Sequence, residues 1–135
     1  MDSLTELRAP GRQFQLARAT RTHSQIILMS NAVPQAGLPK RLEVSFSAVK
    51  FMSFPPVFED LYLRQAPAGR EAEILARHGI AASAGSGVYL LHEEHDWYVV
   101  SGPPQWAEAV RTYDAESLFQ EYGEDTVYGT LAGAT

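Results

Sequence analysis

His92, Glu93, Glu94, His95 and Asp96 stand in five consecutive positions between the apolar runs VYLL and WYVV. Imidazoles and carboxylates at that density are the side chains used to bind zinc or to relay protons. His92-Glu93-x-x-Asp96 is one residue type away from H-E-x-x-H, the zinc-protease signature. That signature works on a helix, where side chains i and i+4 share a face. Here the flanking runs are β-branched and aromatic, so the five residues are expected to cross between two strands. A two-residue loop at Glu93 and Glu94 would set His92 opposite His95, with Cβ atoms ~5 Å apart. It would also demand positive φ where glutamate is poorly suited. A four-residue loop, Glu93 to Asp96, would pair His92 with Trp97 and separate the histidines. A polar hairpin turn is the expectation, without metal or cofactor; His78 and His23 are the remaining histidines that could add a ligand.

The other constellations favour plain structural accounts. Gly85-Ser86-Gly87 follows a helical segment and precedes a strand, the reverse of the strand, loop and helix order that cradles phosphate. Neither G-x-x-x-x-G-K-[ST] nor G-x-S-x-G occurs. His23 and Ser24 are adjacent, and neighbours on a strand point to opposite faces. Glu59-Asp60 and Glu93-Glu94 are neighbouring, solvated carboxylates, whereas acid and base roles need environments that separate their pKa values. No catalytic residue is assigned, and the expectation leans away from an enzyme.

Positioning falls to short apolar runs punctuated by turn residues. FQLARAT (14–20) and SQIILMS (24–30) suit two strands joined near Arg21 to His23, and NAVPQAGLPK (31–40) is a loop by its prolines and glycine. In LEVSFSAVKFMSF, Leu42, Val44, Phe46 and Ala48 alternate with polar residues before the phase slips at Val49 and Phe51. The slip predicts a β-bulge near Ala48 to Lys50, or burial of both faces. Val57 to Arg64 reads as a strand with Leu61 and Leu63 on one face, and Arg70 to His78 as a helix stopped by Gly79. VYLL and WYVV, apolar on both parities, read as strands covered on both faces. Residues 103–113 suit a helix beginning at proline or an alternating strand with Trp106 and Val110 on one face. Asp114 is placed to cap a short helix over Ser117 to Tyr122, and 124–135 reads as a flexible tail. The expected fold is α+β: a predominantly antiparallel sheet of six to seven strands, curled or doubled, with one or two short helices in a single domain, 1–135.

Charge sharpens the functional reading. The net charge is -5, which argues against nucleic acid as a partner. Residues 1–68 hold 8 Lys and Arg against 5 Asp and Glu, and residues 69–135 hold 3 against 11. The chain has no cysteine, which excludes disulfides and thiol chemistry and fits a reducing compartment. No run approaches the ~18 apolar residues of a membrane span, and the first residues, with Asp2, Glu6, Arg8, Arg12 and Arg18, lack a secretory apolar core. A cytoplasmic location is expected. In general form the chain is similar to many small bacterial domains, including immunity proteins that neutralise toxins by binding; the likeness carries over no residue.

The leading expectation is therefore a non-enzymatic module that binds a partner protein or a second copy of itself. Its candidate surfaces are the acidic segment with Asp114, Glu116 and Glu121, and the aromatic patch of Phe54 and Phe58. The alternative is a small-molecule or enzymatic domain whose pocket in the sheet is walled by Tyr62, His92, Trp97 and Tyr98.

Overall fold

The computed structural model describes residues 2–20, 24–120 and 123–131. In chain order the strands are β1 (Asp2–Leu4), β2 (Glu6–Ala19), β3 (Ile26–Ser30), β4 (Arg41–Phe46), β5 (Phe51–Ser53), β6 (Val57–Gln65), β7 (Gly87–Leu90), β8 (Tyr98–Ser101), β9 (Gln105–Ala109) and β10 (Val127–Leu131). One α-helix, α1 (Ala68–Arg77), lies between β6 and β7. The strands form one sheet in the order β1-β10-β9-β4-β3-β2-β6-β7-β8-β5, antiparallel except where β1 runs parallel to β10. The expectation of six to seven strands, curled or doubled, is corrected: among the described residues ten strands form one open sheet with β1 and β5 at its ends. The predominantly antiparallel character with one helix stands.

The count rose where the sequence reads as loop or tail. Within the expected tail 124–135, residues 132–135 lie outside the described residues, and Val127–Leu131 is a strand paired on both sides, with β9 and with β1. Its Gly129 lies opposite Trp106, where a Cβ would fall inside the indole ring. A small residue was required there, and composition alone reads such a residue as disorder. Residues 105–109 are strand β9, which resolves the helix-or-strand alternative. Ser117 to Gln120 forms only a turn, so no helix is capped by Asp114 within the described residues; Glu121 and Tyr122 lie outside them.

Local chemistry accounts for the irregularities. The phase slip after Phe46 is not a bulge: β4 stops, and residues 47–50 lead into β5, with Ala48 at φ 53°. Register shifts fall instead on β2, against β3 between Leu16 and Arg18 and against β6 between Ala9 and Gln13. At the β2–β6 shift Gly11 and Asp60 both have positive φ, and the Asp60 carboxylate accepts the Gly11 amide at 2.8 Å. Arg12, buried beside them, donates to Ser30 Oγ and to the carbonyls of Asn31 and Lys40. Desolvation lowers its pKa from the usual arginine value. The guanidinium thereby ties the 31–40 loop to the sheet.

The main apolar interior draws on both halves of the strand order: Phe14, Leu28, Val44, Phe46, Phe58, Leu63, Leu91 and Val99 are buried together. Short links make this possible, and the Gly102 amide donates to Ser47 O at 2.9 Å. On the other face of β7 and β8, Ile74 and Leu75 of α1 pack against Val88, Tyr98 and Val100. A third, small cluster joins Ala107 and Ala109 to Leu118.

Candidate interaction surface

Arg41 and Glu43 stand two apart on β4 and therefore share one face of the strand. Both are completely buried, at 1% and 0% exposure, with Arg41 Nη1 3.3 Å from Glu43 Oε2. Desolvating two charges is costly unless their remaining hydrogen-bonding capacity is met. Here it is met largely by one segment. Arg41 donates to the carbonyls of Thr112 (2.6 Å), Ala115 (3.0 Å) and Glu116 (3.1 Å). Glu43 accepts from Ser117 Oγ (2.6 Å) and from the Leu118 amide (3.0 Å). Of the pair's own polar atoms, Arg41 Nε alone lacks a partner among the described residues.

Residues 110–120 have no regular secondary structure, so these bonds replace a ladder in fixing their backbone. Two further ties close the segment. Leu118 is buried against Ala107 and Ala109, and its carbonyl accepts from Tyr128 Oη at 2.6 Å. At the base, Arg111 grips both oxygens of Asp125 at 2.8 and 3.0 Å. This hydrogen bonding from Arg111 holds the Asp125 carboxyl below its usual range.

The clamped segment turns its other side to solvent. Tyr113 is 81% exposed, Val110 is 61% exposed, and Asp114 and Glu116 are exposed beside them. Among the described residues neither acid forms an ion pair; Asp114 accepts only from Thr112 Oγ1. Between this segment and the outer face of β2 and β3 lies a cavity of about 300 Å³. Ile27 and Met29 are among its apolar lining residues, Arg18 lines it from β2, and Tyr113, Asp114 and Glu116 line it from the segment.

The other expected sites fare differently. Phe58 is buried in the main interior, 5.9 Å from Phe14 and 5.5 Å from Trp97 between ring centres, and Phe54 packs edge-on against it. That patch is core rather than a docking face, because Phe58 sits on the inward parity of β6. Glu121 lies outside the described residues, as does His23.

Of the expected pocket wall of Tyr62, His92, Trp97 and Tyr98, only His92 and Trp97 come together, edge-on with ring centres 4.9 Å apart. Trp97 joins the main interior, while Tyr98, its neighbour on the chain, faces α1 and bonds His78 Nε2 through its hydroxyl. Tyr62 is held between the guanidinium groups of Arg8 and Arg64 and donates to Glu6. The crossing itself follows neither anticipated hairpin: Leu90 pairs with Tyr98, and the Leu91 amide donates to Trp97 O. His92 and His95 rings come within 4.7 Å, yet His92 Nδ1 accepts the amides of Glu94 and His95, and His95 stacks on Trp97. Asp96 turns away from both to bind Arg70 and Arg77 of α1. No group of three or more metal-binding side chains comes together among the described residues.

Among the described residues, no helix is long and apolar enough to cross a membrane. The chain matches no family model, no curated protein and no solved structure. Its function has to be reasoned from its own geometry.

Proposed function

We propose that the protein is a non-enzymatic binding module that recognises a partner protein through the clamped segment 110–120. The observation that carries this reading is a fully buried ion pair on β4 that holds an irregular segment whose outer side is an exposed tyrosine followed by two exposed acids. Rigid aromatic anchors concentrate binding energy because little conformational entropy is lost when they dock. Asp114 and Glu116 favour a partner with a basic surface and speed the encounter.

The test compares the tagged chain with Tyr113→Ala and with an Asp114→Asn, Glu116→Gln double variant in capture from lysate of the source organism. All three are expected to melt alike, since these side chains face water. A stoichiometric protein held by the parent and lost by both variants supports the reading, and a second copy of the chain would be seen as a dimer by light scattering. Equal capture by all three, or no capture by the parent, refutes it.

A further inference from the structure

We infer that the cavity between the clamped segment and strands β2 and β3 receives an extended peptide stretch of the partner, in which one aliphatic side chain lies between a basic and an acidic residue. This deepens the proposed function and rests on it. Three features define the occupant. The cavity, at about 300 Å³, stands at the small end of ligand sites, which suits one inserted side chain better than a whole metabolite. Ile27, nearly fully buried, and the partly buried Met29 supply its apolar lining, beside the Arg41 and Glu43 pair whose charges offset each other.

Its charged rims are opposite in sign. Asp114 and Glu116 stand on the segment side, and Arg18, exposed on β2, stands on the other. An aliphatic side chain placed on Ile27 and Met29 therefore brings a lysine or arginine on one flank to the two carboxylates, and a carboxylate on the other flank to Arg18. Reversed charges would meet like charge on both sides, which disfavours that pairing. The clamp keeps the two rims apart before binding, so the peptide alone bears the ordering cost.

The full chain, labelled with ¹⁵N, is titrated with blocked pentapeptides and followed by amide shifts. Lys-Ser-Leu-Ser-Glu and its reverse, Glu-Ser-Leu-Ser-Lys, present the pattern in both chain directions. One of them is expected to move the amides of Ile27, Met29, Tyr113 and Asp114 at millimolar concentration. Replacing its leucine by serine is expected to abolish the shifts, and Lys-Ser-Leu-Ser-Lys to bind more weakly. Asp114→Asn with Glu116→Gln should weaken binding about five- to tenfold. Ala17, exposed on β2, also lines the cavity, and Ala17→Trp should block binding without unfolding the chain. Shifts confined to other surfaces, or no shifts with either direction, overturn the inference. If a partner is captured through Tyr113 while both peptides leave the cavity unmoved, the cavity assignment fails and the binding reading stands. If the peptides bind here while capture ignores Tyr113, the reverse holds.

Discussion

Glu43→Gln isolates the buried clamp with the smallest possible change of shape. The carboxylate accepts three bonds, from Arg41, Ser117 and the Leu118 amide, at complete burial. A carboxamide keeps one acceptor oxygen for Arg41 and the Leu118 amide and turns its NH₂ toward the Ser117 hydroxyl, which must reverse from donor to acceptor. It also leaves the Arg41 guanidinium buried without its counter-charge. Breaking a buried pair from one side costs roughly 3–5 kcal/mol, against a total stability of about 5–15 kcal/mol for a domain. Glu43→Gln should therefore lower the urea midpoint substantially while leaving the slope unchanged. Arg41→Met with Glu43→Leu is the control: it removes both charges together, so its loss should be smaller than the single variant's. In that control the 112–118 backbone loses its partners, and its amides should exchange faster although the sheet stays folded. A Glu43→Gln cost below about 1 kcal/mol, typical of an exposed pair, would refute the reasoning.

Further outcomes follow from other contacts. Gly129→Ala places a methyl in the Trp106 ring and should cost about 1–3 kcal/mol, the usual range for overpacking, read as a lowered melting temperature. Phe54→Ser should destabilise by about 2 kcal/mol, within the range for truncating apolar side chains, because Phe54 packs on the main interior. Asp96 also predicts an acid response. Burial opposes its ionisation, but hydrogen bonds from Arg77 and Arg70 and their charge outweigh that and hold the carboxyl below its ordinary value of 3.8. Its contribution is thus present above about pH 4 and lost as pH falls through the lower folded value. Because the group is half exposed, screening limits it to below about 1 kcal/mol. Asp96→Asn should remove this part of the acid sensitivity in melts run from pH 5 to pH 2.

What the sequence makes legible follows the strength of local periodicity. The strand over Leu42 to Phe46, the Leu61 and Leu63 face and the helix ending before Gly79 are found in place, although β4 is buried on both faces where its alternation predicts one. β10 was hidden because its strand needs a glycine under Trp106, a demand made by a strand distant in the chain. The clamp was hidden for a related reason. Glu43 alternates with apolar residues as a solvent-facing strand residue does, and only the return of 112–118 over that face buries it. Opposite charges at i and i+2 on a strand were the one available sign. Asp114 and Glu116 were legible as an acidic surface; that Tyr113 crowns it was not, since an exposed tyrosine and a core tyrosine look alike in sequence.

Hydrogen exchange of the chain, alone and bound to the protein it captures, puts the binding account to its sharpest trial. The account predicts that the Leu118 amide is already protected in the free chain by Glu43, and that Tyr113 to Glu116 gain protection on binding. New protection elsewhere, with 110–120 unchanged, would contradict it.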